Sequence, residues 1–301
     1  MTMNSTQRAG LFYTILSIIG YSFSPIFGKK VLDTGLPAFD LATWRFALAM
    51  SVIWLLILAR DAINKSPSES LPLHRIQLLA LGSLLTASAL AMFVGLGYIP
   101  TSIFVVLFFT YPSMVAVLGF FFGERLSLQG WIALALTVIG VLLTTPEFFS
   151  GFQHGEPLGY VLALASAFVV AVYFMLNPKV VRGHPDQVRA SAWTITGAFV
   201  PLMAIALVVG VETPVGNSAW GNLIGLSTVS TVMSVFALMA GIDRLGATRT
   251  AIITTAELPC SVILAVLILD ETMQTSQVLG GLLILVSIVL LNTSSVSSDP
   301  Q

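Results

Sequence analysis

The sequence predicts an all-α integral membrane fold: ten transmembrane helices in two inverted five-helix repeats. Three observations predict it. Hydrophobic residues make up 56% of the 301 and charged residues only 9%, where a soluble domain carries roughly 25% charged residues. The apolar residues gather in runs close to the ~20 that cross a hydrocarbon core of roughly 30 Å. Finally, the chain resembles itself at an offset of 147 residues, which is a mark of internal duplication.

The first observation fixes the solvent. So few charges cannot build a water-facing surface, so most side chains must face lipid or one another. A formal net charge of -1, with no polybasic stretch, excludes a nucleic-acid partner, because phosphate binding needs clustered Lys and Arg. The single cysteine, Cys260, excludes an intrachain disulfide and a cysteine metal cluster.

The second observation places the spans. Apolar runs bounded by Gly, Pro and charge clusters predict helices near residues 10–29, 39–59, 76–97, 101–122, 127–145, 157–177, 188–209, 218–241, 247–269 and 275–292. Helices are expected because lipid cannot satisfy exposed backbone groups, and a barrel would alternate polar and apolar residues in strands of about ten. The segment from Met1 to Arg8 lacks a small-residue cleavage site, so the first span is expected to be retained. With the amino terminus in the cytoplasm, ten of the thirteen Lys and Arg fall on that side: Arg8, Arg60, Lys65, Arg75, Arg125, Lys179, Arg182, Arg189, Arg244 and Arg249. The opposite side receives Lys29 and Lys30, and Arg45 lies within the second span. This bias predicts both termini in the cytoplasm; the expected location is a plasma membrane, bacterial inner membrane in type. Residues 1–9 and 293–301 would form the terminal segments. Trp44, Trp131 and Trp220, near span ends, suit an interfacial belt.

The third observation organises the spans. The offset sets Pro112 on Pro259, Glu124 on Glu271, Tyr13 on Tyr160, Thr101 on Thr248, and Ala38-Phe39 on Pro185-Asp186. Pro and Glu recur with the same twelve-residue spacing in both halves. Two repeats follow, residues 10–145 and 157–292. Five spans is an odd number, so the second repeat enters the membrane from the opposite side, an architecture used by alternating-access carriers.

Two segments then carry a family resemblance. TYPSMVAVLGFFFGERLSLQG, from Thr110 to Gly130, and AELPCSVILAVLILDETM, from Ala256 to Met273, resemble the EamA-type signature of the drug/metabolite transporter superfamily. That signature has a mid-helix Pro, an apolar run, Gly-Glu, and a further helix; Asp270 stands where the pattern has Gly. Arg45 resembles an Arg often found in the second span of such proteins. The resemblance implies a ten-helix pseudosymmetric carrier with a central cavity, and the chain resembles the bacterial aromatic amino acid exporter branch. It therefore implies a secondary active exporter of small metabolites, amino acids including aromatic ones, working by alternating access. A channel or facilitator, or a carrier of nucleobases, sugar derivatives or drugs, is the competing expectation.

Within the spans, ionisable and polar groups mark the candidate site. A charge at mid-membrane costs roughly 2.5–3.5 kcal/mol on insertion scales, so Glu257, about ten residues into the ninth span, is the leading candidate. It could bind a substrate ammonium, carry a proton, or brace the kink at Pro259. The repeat sets Thr110 opposite it, two residues before Pro112, with a hydroxyl that could equally bond its own helix. At similar depth lie Tyr21, Ser22, Thr86, Ser88, Tyr111, Ser230, Thr231 and Thr254, polar groups in an apolar wall that could touch solute or bind helices together. Arg45, near the outer end of its span, is expected to snorkel or to pair with Asp33 or Asp40. Glu124 and Glu271, at helix exits, are expected to accept bonds from the next amino terminus.

No enzyme motif competes: H-E-x-x-H and Gly-x-Ser-x-Gly are absent, and Gly95-x-Gly97 lacks the third glycine of a dinucleotide site. His74, His154 and His184 all fall in expected loops. No cofactor, metal or ATP site is expected. The partners would be lipid and a small-molecule solute, with a proton or counter-solute gradient supplying energy.

Overall fold

A computed structural model describes residues 4–64, 72–99, 101–123, 127–145, 156–181, 186–269 and 274–293, and all regular structure among them is helical. Numbered by span, the helices are α1a (Ser5–Ser22) and α1b (Ser24–Leu32), α2 (Ala38–Asn64), α3 (Pro72–Gly95), α4a (Thr101–Phe108) and α4b (Tyr111–Phe121), and α5 (Leu128–Thr144). The second half contains α6 (Pro157–Val181), α7 (Gln187–Val209), α8a (Asn217–Ser227) and α8b (Ser234–Leu245), α9a (Ala247–Thr254) and α9b (Glu257–Leu269), and α10 (Thr275–Thr293). Eight spans are long and apolar enough to cross a membrane; α5 and α10 are apolar but shorter. Glu124, Glu271, Asp270, His154 and His184 lie outside the described residues, and His74 sits on the first turn of α3 rather than in a loop.

Local chemistry sets the starts. Asn4 accepts a hydrogen bond from the Gln7 backbone N–H at 2.8 Å, and the Gln7 side chain accepts from Asn4 N–H at 3.3 Å. This capping box satisfies otherwise orphaned donors and starts the first span at Ser5, five residues before the apolar run. Asp186 caps α7 through the backbone N–H groups of Val188 and Arg189, at 3.0 and 3.2 Å. Between α8b and α9a the chain turns on one residue, Gly246, at φ 85° and ψ 162°, a conformation essentially reserved for glycine.

Three spans are broken. The Thr110-Tyr111-Pro112 and Ala256-Glu257-Leu258-Pro259 segments each begin a second helix, after turns at 109–110 and 255–256. Proline is tolerated in a first helical turn because its missing N–H would have no intrahelical acceptor there. Pro112 and Pro259 thus act as helix starters rather than mid-helix kinks. Ser24-Pro25 does the same after Phe23, a third break that the repeat pattern did not disclose. The eighth span instead carries a π-helical segment, Thr228–Met233. By contrast, Pro178 and Pro201 lie inside continuous helices.

Packing follows the duplication. α5 packs on α10, α4 on α9, and α2 on α7; α1 packs on α8 and α3 on α6; α2 packs on α8 and α7 on α3; α9 packs on α1 and α4 on α6. Exchanging each span for its mate five places on reproduces the same set, as a twofold relation between repeats requires. Small residues allow the closest approaches. At the α3–α7 crossing, Gly82 meets Thr194 and Gly197 meets the backbone of Leu79. At the α5–α10 crossing, a Cβ on Gly140 would stand 2.8 Å from the Gly280 carbonyl oxygen, and Thr137 and Ser287 share a hydroxyl–hydroxyl bond of 2.8 Å. Residues such as Phe121, Leu207 and Val208 point outward, as expected of helices apolar all round in lipid.

Spans α2 and α7 are fastened along their whole length. At the end of the bundle that carries the amino terminus, Arg60 binds Asp186 and Arg189 binds Asp61. Midway, Trp54 Nε1 donates to Thr196 Oγ1 at 2.9 Å. At the far end Glu212, just beyond α7, donates its N–H to Asp40 at 3.1 Å and accepts from Trp44 Nε1 at 2.9 Å.

Candidate solute site

The breaks in α1, α4 and α9 bring polar groups together in the interior. Glu257 is the first residue of α9b. Its backbone carbonyl accepts from Ser22 Oγ at 3.3 Å, while the same hydroxyl bonds Ile18 O at 2.7 Å. Opposite, Tyr111 is the first residue of α4b, and its hydroxyl meets Thr254 Oγ1 at 2.8 Å. The two breaks are therefore joined by side chains that flank them, one from each repeat. Tyr111 also packs on Phe174 of α6, with ring centroids 5.5 Å apart.

Glu257, Tyr21 and Arg45 lie within the bundle yet keep part of their surface accessible. None of their polar atoms is among the buried, unpartnered ones, so their free donors and acceptors open onto accessible space. The three lie within electrostatic range of one another, and Tyr111 lies within range of Glu257 and Tyr21.

Arg45 departs from expectation. It does not pair with Asp33 or Asp40; Asp40 accepts from Glu212 instead. The Arg45 side chain runs inward from α2 to the π segment of α8, where Nε donates to Thr231 Oγ1 at 2.7 Å and Nη2 to the Ser230 carbonyl at 3.0 Å. The π winding makes this possible: Thr231 Oγ1 donates five residues back to Leu226 O at 3.0 Å, turning its lone pairs towards the guanidinium. π segments inside α-helices are frequent at functional sites. Ser230 Oγ is fully buried and has no partner among the described residues. The sequence did carry one signal for Arg45, an isolated charge inside a span.

The remaining candidates divide. Thr254 lies on the site and also bonds its own helix at Thr250 O and Ala251 O. Thr110 sits in the break, with its hydroxyl bonded to Leu107 O at 2.6 Å. Thr86 donates to Ala198 O across the α3–α7 contact. Ser88 shares a 2.7 Å bond with Ser166 across the α3–α6 contact. These last two hydroxyls are engaged in helix packing. Among the described residues no group of His, Cys, Asp and Glu could hold a metal ion.

A two-fold repeated bundle, broken at matched positions, has known counterparts. The model of the EamA-like transporter family matches residues 8–145 and again 157–293. The chain belongs to the EamA-like transporter family. It is a multi-pass membrane protein, and curated relatives are named as transporters. It is 31% identical over 225 residues to an uncharacterized transporter, sll1319, of Synechocystis, covering 72% of this chain and 66% of that protein. It is 27% identical to a probable amino-acid metabolite efflux pump of Escherichia coli, covering 57% of this chain and 60% of that one. It is 25% identical to an S-adenosylmethionine uptake transporter of Rickettsia bellii, over 93% and 92% of the two chains. The chain thus spans just under two thirds of the Synechocystis and Escherichia relatives and nearly all of the Rickettsia one. A solved crystal structure at 20% identity superposes over 94% of this chain and 96% of that chain with a TM-score of 0.77, a likeness of fold.

Proposed function

We propose that this EamA-like transporter is a secondary carrier that exports small metabolites, most characteristically amino acids including aromatic ones, by alternating access. Its setting would be the plasma membrane, with both termini cytoplasmic and residues 10–145 and 157–292 as the two repeats. The observation that carries the reading is the convergence of two helix breaks, at equivalent points of inverted repeats, on one accessible carboxylate. Broken helices at the repeat interface are where such folds hold solute, because unwound backbone and half-helix ends supply polar contacts inside the membrane. Glu257 is the proposed coupling or ammonium-binding group. Tyr21, Ser22, Tyr111, Ser230, Thr231 and Thr254 form its polar surround, and Pro112 and Pro259 start the half-helices. Two relatives named for amino-acid metabolites and for S-adenosylmethionine, itself built on an amino-acid head, support the solute class.

Purified protein in liposomes tests the proposal. A carrier loaded internally with unlabelled amino acid accumulates labelled amino acid transiently, by counterflow, and saturates; a channel does neither. Glu257→Gln is expected to abolish counterflow or remove its pH dependence. Flux unchanged by Glu257→Gln from about pH 5 to about pH 8, where a membrane-buried carboxylate can exchange a proton, would show that Glu257 has no part in transport. Resistance of overexpressing cells to toxic amino-acid analogues reads the direction: export protects, and uptake sensitises.

A further inference from the structure

The site holds a guanidinium and a carboxyl group that do not pair with each other. Arg45 bonds the π segment at Thr231 and Ser230, Gly20 of α1a packs on that segment at Val229 and Met233, and Ser22, two residues on, bonds the Glu257 carbonyl. The two side chains thus stand in one region of the interior, within electrostatic range, yet no ion pair or hydrogen bond joins them among the described residues. Two Arg45 donors are committed, to Thr231 and to the Ser230 carbonyl. A guanidinium has five N–H groups, so the outer part of its fork is left for an acceptor. The Glu257 carboxylate likewise accepts no bond from a described side chain. Each charge is costly inside a membrane, and a direct pair would be the cheapest arrangement. Held apart, they await something that pairs with both.

The repeat sharpens this. The mate of Arg45 at the offset of 147 is Ala192, fully buried in the apolar core, and the mate of Glu257 is Thr110. In the pseudosymmetric α3–α7 contact, glycines bring the backbones together. In the α2–α8 contact, a π segment makes acceptors for a guanidinium. Only one arm of each symmetric pair carries charge, so the site is polarised along a line from α2 and α8 to α9. Tyr111 and Phe174 supply an aromatic wall beside the carboxylate end.

We infer that the site recognises a zwitterion, with Arg45 receiving the carboxylate and Glu257 the ammonium of one solute. This rests on the carrier reading and narrows its solute class to molecules that bear both charges a few atoms apart. Planar, forked recognition of a carboxylate is what a guanidinium does best.

Three probes on the same phenyl frame test it: phenylalanine, phenethylamine and 3-phenylpropionate. Binding is read from the concentration dependence of the thermal transition of detergent-solubilised protein, and separately from competition in counterflow. Wild type is expected to prefer phenylalanine over either single-charge probe by about ten- to hundredfold, the worth of one charged hydrogen-bonded contact. Arg45→Gln should erase the preference for phenylalanine over phenethylamine, and Glu257→Gln that over 3-phenylpropionate, moving selectivity in opposite directions. If Arg45 only braced the π segment, Arg45→Gln would weaken all three probes alike, and the inference would fall. It falls equally if wild type binds phenethylamine as tightly as phenylalanine, or binds none of the three. Saturable counterflow of some other solute would then leave the carrier reading standing. Should Arg45→Gln not fold, Arg45→Lys and the wild-type panel decide: Lys keeps the charge but loses the fork, so it should retain a reduced preference for the zwitterion.

Discussion

A methyl group added at the α3–α7 crossing should push two helices apart, and the structure sets the size of the effect. A Cβ on Gly197 would stand 2.6 Å from Leu79 Cα and 2.7 Å from its carbonyl carbon; one on Gly82 would stand 2.8 Å from the Ala198 nitrogen and from the Thr194 carbonyl carbon. Carbon atoms rest at about 3.5–4.0 Å, and none of these neighbours is a flexible side chain, so the helices must separate by about 1 Å. Overpacking of this kind costs about 1–3 kcal/mol. Separation also stretches the bond from Thr86 to the Ala198 carbonyl. Because one displacement makes room for both methyls, Gly82→Ala with Gly197→Ala should cost less than the sum of the two, a coupling on the order of 1 kcal/mol. The assay is reversible unfolding in mixed micelles, with Gly221→Ala as control. A Cβ on Gly221 meets nothing within 4 Å, so alanine there should be neutral or stabilise by about 0.5–1 kcal/mol through helix propensity. Strict additivity, or a Gly197→Ala as mild as Gly221→Ala, would refute the backbone-contact argument.

Two further outcomes follow from the ends of the helices. Burial pushes the Asp186 carboxyl up, but its bond to Arg60 and the backbone N–H groups of Arg189 and Val188 outweigh this and hold it below its ordinary range. A carboxyl depressed in the folded state adds stability that is complete above its unfolded pKa and is lost as pH falls through the folded value. Asn caps a helix as well as Asp does, so Asp186→Asn removes only the charge: it should lower stability at neutral pH by the ~0.2–1 kcal/mol of a partly exposed ion pair, and the gap from wild type should close in acid. A pH-independent gap would exclude the ionised form as the source. Gly246→Ala should cost about 1–3 kcal/mol, because φ 85° at the single-residue turn between α8b and α9a strains any side chain; an unchanged melting temperature would mean the turn can rewind.

Most of the architecture was legible because lipid imposes one rule on every span. All ten predicted runs correspond to helical spans, with ends displaced by a few residues where caps such as Asn4 extend a helix beyond its apolar part. The breaks before Pro112 and Pro259 were signalled by the prolines, although as helix starts. The equivalent break before Pro25 has no mate in the continuous sixth span, so the repeat carries no signal for it. Glu257 announced itself as a lone acid in an apolar run. Arg45 did not reveal its role: the acids near it in sequence suggested local pairing, whereas its partners stand 185 and 186 residues further on. A π segment leaves no local pattern from which it could be read. Thr86 and Ser88 resemble Thr231 in composition, and only the neighbouring helix decides which hydroxyl seals a contact and which meets a guanidinium.

The ladder of bonds between α2 and α7 limits how such a molecule can move. These helices belong to different repeats, so the two five-helix units are riveted along one seam and cannot swing as independent clamshells without parting an ionic clasp, an indole bond and a loop tether together. The proposed alternating access is better served by the segmented helices. α1, α4 and α9 already have articulation points near mid-depth, and all three border the acidic residue whose environment would have to change.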